Sequence, residues 1–436
     1  STIRWRMGTV SSPELPKTVL DGLPVCANCH SFSAGGDVLG MDVDYANDKG
    51  SYAIVPIERT MELTKDKVIT WSDYRREDNV TTFGLLSQVS PDGRYVVSTV
   101  KDRSVFVPKP GIAFSQLFFP IQGILVIYDR QAGTMQALPG ADDPAYVQSN
   151  PCWSPDGTEI VFARSKAFTL ERATGGDVLL SREECAEFLR DGKPFAFDLY
   201  RIPVNDGRGG EALPVEGASG NGMSNYFARY SPDSKWIVFC RSKNYMLLQP
   251  DSELWIIPAE GGTARRLDCN TTLMNSWHSW SPNARWLVFA SKRDTPYTQL
   301  FLTHIDELGR SSPAVFLWQF AAHERAANIP EFVNPLGGGI DRMKAHFIDD
   351  FSLYRAGLEF NRAGDYEGAI ATFMQALELN PDNPDAHYNL ALVLAKTGRT
   401  EEAIRHYREA TRCRSNWAQP WNNLGGIYLT LGEDTE

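Results

Sequence analysis

The five residues Cys26-Ala27-Asn28-Cys29-His30 place two thiols three positions apart with an imidazole directly after the second. This C-x-x-C-H order suits covalent haem attachment, because two thiols can add to two vinyl groups while the adjacent ring reaches the iron from the same side. Cys26 and Cys29 are then the thioether residues and His30 the proximal iron ligand of one haem c. Rival readings are a zinc half-site, a redox dithiol or a plain structural pair. Zinc lacks a second C-x-x-C or a paired histidine cluster to complete four ligands. A redox dithiol belongs at a helix start after a strand, and the surroundings here read as strands.

The other cysteines, Cys152, Cys185, Cys240, Cys269 and Cys413, are scattered and read as small buried hydrophobes, with Cys240 and Cys269 the pair to consider for a bridge. The segment from Asp42 to Gly50 gathers oxygen ligands but departs from the calcium-loop spacing, so a solvated turn is the better reading. No G-x-S-x-G, P-loop or H-E-x-x-H motif occurs.

The elements that must position the motif are repeats. Val89-Ser-Pro-Asp-Gly, Trp153-Ser-Pro-Asp-Gly, Tyr230-Ser-Pro-Asp-Ser and Trp280-Ser-Pro-Asn-Ala each run into a β-branched, aromatic strand, and Phe32-Ser-Ala-Gly-Gly-Asp is a decayed fifth copy. Their serines, Ser33, Ser90, Ser154, Ser231 and Ser281, lie roughly 50 to 80 residues apart, the size of a propeller blade. Proline presets φ, and aspartate and glycine tolerate the turn, so each copy reads as a hairpin. Second hairpins start at Ile124, Asp198, Glu253 and Gln299, giving four strands per unit. Such sheets bury their faces when repeated radially.

With these motifs the region resembles the TolB-like propellers with PD40 repeats, which implies an all-β propeller of five recognisable blades or six. The first 25 residues and Asn328-Ile-Pro-Glu-Phe-Val are candidates for a divergent closing sheet, and Lys166 to Pro194 is an insertion with a short helix near Arg182 to Leu189. From Asp349 the period becomes helical. Ala369, Phe373 and Ala376 recur 34 positions later as Ala403, Tyr407 and Ala410, the TPR spacing, and a third copy starts at Trp421. The domains are therefore an N-terminal segment (1–25), a propeller (26–335), a linker with Gly337-Gly338-Gly339 (336–350) and an all-α TPR solenoid (351–436).

The repeat register bears on the iron. His30 lies three residues before Ser33, and the equivalent positions are Ser87, Pro151, Ala228 and His278. If five blades close a ring, the first and last are neighbours, which makes His278 a candidate distal ligand. Met41 competes from a position that is core in the other copies, and Met7 is a third candidate. His304, His323, His346, His387 and His406 are dispersed and read as surface or packing residues.

A net charge of -11 argues against non-specific nucleic-acid binding. No apolar run reaches the roughly 18 residues of a membrane helix. The sequence starts at Ser1, so any export signal is expected to have been removed. The expected function is that of an exported, periplasmic or extracellular, monohaem electron carrier whose TPR tail recruits a redox or assembly partner or a second copy. A scaffold subunit of a surface or filament-like assembly, with stabilising or conductive haem, is the alternative; a peroxidase-like enzyme is a weaker one.

Overall fold

The computed structural model describes residues 3–23, 29–43, 45, 48–109, 115–171, 179–334, 339–346 and 348–432. Five antiparallel sheets follow one another along the chain and form the β-propeller expected from the repeats. The first contains strands His30–Phe32, Val38–Asp42, Ser51–Pro56 and Val68–Thr70; the last contains Asn275–Trp280, Trp286–Ser291, Gln299–His304 and Val315–Phe316. The innermost strand of each sheet touches that of the next, from His30–Phe32 through Leu85–Val89, Tyr146–Trp153 and Ser224–Tyr230 to Asn275–Trp280.

Every Ser-Pro-Asp copy closes its turn in the same way. The serine Oγ accepts the backbone N–H five residues on, at 3.0 Å for Val38, 2.9 Å for Tyr95, 3.0 Å for Glu159, 2.9 Å for Trp236 and 2.9 Å for Trp286. Its hydroxyl donates to the acid or amide that follows: Asp37, Asp92, Asp156, Asp233 or Asn283. The decayed copy at Ser33 keeps the device. The fourth turn position is left-handed in all five, which suits Gly36, Gly93 and Gly157 and is tolerated by Ser234 (φ 58°) and Ala284 (φ 56°).

A second regularity lies four residues before each serine. Leu86, Asn150, Phe227 and Trp277 all have positive φ, and strand register shifts across each of them, so every one of these innermost strands carries a β-bulge. Leu86, Phe227 and Trp277 point into the central apolar cluster. In the first sheet the corresponding residue is Cys29.

Instead of a sixth four-stranded sheet, the described residues hold two small ones. Ile3–Met7 pairs with Lys17–Leu23, and Arg342–Ala345 pairs in parallel with Thr60–Leu63, so part of the expected linker is structured. Residues 328–333 form no strand. The insertion contributes Leu179–Leu180 to the second sheet and the short helix Ala186–Leu189, whose Phe188 packs against Phe119 and Tyr245.

The tail is the expected TPR array: helices Asp350–Arg362, Tyr366–Leu379, Pro384–Lys396, Thr400–Cys413 and Ala418–Leu431. Ala369, Phe373, Ala376, Ala403, Tyr407 and Ala410 are buried between paired helices. Gly357 is the close-approach point, since a Cβ there would lie 2.5 Å from the Phe373 ring.

Because each serine hydroxyl satisfies a part-buried strand amide, Ser231→Ala and Ser281→Ala should each lower propeller stability by about 1 kcal/mol. The two turns share no partner, so the double variant should lose the sum within about 0.5 kcal/mol. Urea midpoints that stay at the wild-type value would show that the turn does not depend on the hydroxyl.

Candidate functional site

The first and fifth sheets do not meet strand to strand. Residues 331–332 bridge them instead: the Phe332 N–H donates to Ser279 Oγ of the fifth innermost strand at 3.1 Å, and Glu331 Oε2 lies 3.2 Å from His30 Nε2 of the first. Beside this bridge, walled by both sheets, the N-terminal hairpin and the strap 320–333, lies an open cavity of about 950 Å³.

His30 is in the cavity wall, with 12% of its side chain exposed, and its ring packs on Trp5 at 4.5 Å and edge-on to Phe32 at 5.9 Å. Apolar walls come from Met7, Val288, Leu300, Leu317, Phe320 and Met343. Arg4, Arg6 and Arg325 stand at the wall as cations. Arg4 pairs with Asp21 at 2.9 Å, while Arg6 donates to the Phe320 carbonyl at 2.7 Å and, like Arg325, has no carboxylate partner among the described residues. Burial lowers the Arg6 pKa, and the charges of Arg4 and Arg325 add to the effect.

Cys29, the residue before His30, does not line the cavity. It is 8% exposed, belongs to the central cluster with Leu86, Phe227 and Trp277, and its thiol bonds to the Asp42 carboxyl. Burial pushes the Asp42 pKa well up, partly offset by this bond. Burial likewise raises the Glu331 carboxyl to about 8, opposed by the charge of Arg229. Buried Tyr52, whose pKa burial also raises, feels Asp42 and Glu331 and leaves its hydroxyl without a partner. Cys26 lies outside the described residues.

The structure does not bring His278 to His30. His278 is fully buried with Nε2 2.9 Å from the Val238 carbonyl and Nδ1 3.8 Å from Cys240 Sγ, so its ring faces the fourth sheet rather than the seam. Register explains the correction. His278 points toward the preceding, fourth sheet, whereas His30 faces the cavity and Glu331. Met41 lies directly opposite His30 across the strand pair but packs, fully buried, with Val19, Leu20 and Leu39, and does not reach the cavity wall. Met7 does reach it, and so does His323, which periodicity alone gave no reason to single out.

Cys240 and Cys269 are separate buried thiols, not a bridge. Asp48 accepts from Thr70 Oγ1, Ser72 Oγ and the Gly50 N–H, which makes that loop a structural turn; Asp44 and Asn47 lie outside the described residues. Among the described residues no three His, Cys, Asp or Glu side chains converge as a metal-holding group. No helix among them is long and apolar enough to cross a membrane.

Comparison with known proteins matches a TPR repeat model to residues 357–398 and a tetratricopeptide repeat model to residues 384–417. The TPR repeat-containing thioredoxin TTL4 of Arabidopsis thaliana is 38% identical over 89 residues, 20% of this chain and 13% of that protein. The photosystem I assembly protein Ycf3 of Cyanophora paradoxa is 33% identical over 86 residues, 19% of this chain and 50% of that one. The chain thus spans half or less of these curated relatives. Among solved structures, TolB from Acinetobacter baumannii is similar with a TM-score of 0.40 at 15% identity, over 69% of this chain and 56% of that one. An oligogalacturonate lyase in complex with manganese gives 0.41 at 15%, over 72% and 73%.

Burial holds the His278 pKa at about 3, below its ordinary 6.5. Its neutral ring thus supports the fold fully above about pH 6.5, and that support is lost as pH falls toward 3, because the unfolded chain takes the proton first. His278→Gln should be less stable at pH 7, and its loss of stability between pH 6 and 4 should be shallower than wild type by up to about 1.4 kcal/mol per pH unit, one proton's worth. Equal slopes in urea titrations would place the acid sensitivity elsewhere.

Proposed function

We propose that this chain is an exported, single-haem c-type electron carrier built on a propeller, with the TPR tail as its protein-docking arm. The supporting observation is the seam cavity: it presents the His30 imidazole among apolar walls, and at about 950 Å³ it has room for a porphyrin-sized group. Its cations suit carboxylate-bearing edges of such a group. The sequence motif supplies two thiols followed by an imidazole; of these His30 lines the cavity, Cys29 lies in the central apolar cluster and Cys26 is outside the described residues. When bound, the haem supplies a one-electron couple whose potential depends on axial ligands, burial and nearby charge.

The chain's own groups have distinct tasks in this reading. His30 would hold the iron through its imidazole, and Trp5, packed at a tilt against the ring, limits its rotation. Glu331 holds Nε2 in the structure, so an iron held at that atom would displace the carboxylate, with Arg229 as its nearby cation. A thioether at Cys29 would use the thiol that now bonds Asp42, whose protonated form burial favours. Bacterial thioether attachment is carried out beyond the cytoplasmic membrane, hence a periplasmic or cell-surface site. TPR helices present grooves to peptides or to a second copy of the chain.

Export in a host with haem-attachment machinery should yield a chain heavier than its residues by roughly 0.6 kDa, with a pyridine haemochrome spectrum of two saturated side chains. Cys26→Ala with Cys29→Ala should abolish the added mass. A wild-type chain at its bare mass, or one carrying zinc, rules the carrier out.

A further inference from the structure

We propose that His387 and His406 form an acid-sensitive clasp between the two helices of the second TPR unit, closed by one proton that the imidazoles share and opened when both rings carry charge. It depends on the TPR tail and not on the haem reading. The two Nδ1 atoms are 2.9 Å apart and the ring centroids 5.2 Å apart, so the nitrogens meet head to head near the line between the rings. That approach suits an N–H···N hydrogen bond.

The outer partner of His387 fixes which ring donates. Its Nε2 lies 2.9 Å from the Pro381 carbonyl, which can only accept. Nε2 therefore carries the proton of the neutral ring, Nδ1 is bare, and His406 Nδ1–H donates to it. A neutral His406 then has a bare Nε2. The pair can take one more proton with the bond intact. A further proton sets N–H against N–H and two positive rings in contact.

The clasp ends a line of bonds that crosses three helices. Asp350 of the first tail helix accepts from Nδ2 of Asn380 and of Asn383 at 2.8 Å each, and Asn383 caps the helix Pro384–Lys396. His387, in the first turn of that helix and 7% exposed, reaches back to Pro381 and across to His406 in the helix Thr400–Cys413. Glu402, Arg405 and Glu409 on the helix of His406, and Asp382 beside His387, bring charge to the pair. Arg399 and Arg405 take Glu402, while Arg412 takes both Glu409 and Asp382, which Cys413 also borders. Arg414 takes Asp385. Glu378 stands in the last turn of the helix Tyr366–Leu379, and the helix Ala418–Leu431 has no charged residue. Arginines thus already hold the carboxylates nearest the rings. Burial, with the charge of His387 next, lowers the His406 pKa to about 4. The neutral ring supports the closed pair fully above about pH 6.5, and this support is lost as pH falls toward 4, because the opened helices take the proton first.

The test uses the full chain. Nitrogen-15 NMR of labelled histidines at pH 7 should show Nε2–H for His387 and Nδ1–H for His406. Amide hydrogen exchange in peptides covering 384–413, corrected for the intrinsic rate, should show the opening equilibrium of this helix pair rising by up to about tenfold per pH unit between pH 6 and 4. In His406→Gln the amide can donate to His387 or accept from it and takes no proton. That variant should keep its protection at pH 7 and lose the pH slope in these peptides, while propeller peptides keep theirs. The opposite tautomers in wild type, a flat wild-type profile, or a slope in His406→Gln equal to that of wild type overturns the clasp.

Discussion

A propeller sheet has two apolar faces, and each must be covered by a neighbour. Four of the five junctions satisfy this by extensive contact of innermost strands, and the junction between fifth and first has no contact of that extent. What covers the exposed face of the first sheet is an assembly of smaller parts: the hairpin Ile3–Leu23, the parallel pair Thr60–Leu63 with Arg342–Ala345, and the strap ending in Glu331 and Phe332. A hairpin and a strap do not fill space as densely as a four-stranded sheet. The cavity is the remainder, and it is a consequence of the repeat count as much as of any local sequence.

In the second to fifth sheets a left-handed residue four positions before the turn serine breaks the two-residue alternation of the innermost strand. The first sheet pairs without that shift, and Cys29 in the same position is not left-handed. Cys29 nevertheless enters the central cluster, with its thiol on Asp42, and His30 lines the cavity. A motif that reads as contiguous chemistry is split across two environments, one a tight apolar core and one an open, cationic cavity.

Much of this was legible in the sequence because it is local. The Ser-Pro-Asp turns, their strands and the TPR helices follow from short-range residue preferences, and even the degenerate copy at Ser33 folds as its relatives do. The serine's closing role could have been read from its invariance across five copies, including the one without proline. His278 shows the limit of register arguments: it faces the fourth sheet behind it rather than the first, so equal register does not imply proximity. The seam was legible only in outline: the first 25 residues and Asn328 to Val333 were candidates to close the ring, but nothing local puts Trp5, His30 and Glu331 together across some 300 positions.

Charge completes the physical picture. The chain carries a net -11, yet the cavity wall gathers Arg4, Arg6 and Arg325, two of them without carboxylate partners among the described residues. Like charges so close raise the free energy of the empty site, a cost that the fold tolerates only where something anionic offsets it or water reaches it. The cavity is open, so water can serve in its absence. A group with an apolar body and anionic edges would remove the apolar wall from water and neutralise the cations in one event, which would couple its retention to the stability of this junction. The seam that the repeat count leaves incomplete is thus the place where a bound group would do most to hold the propeller closed.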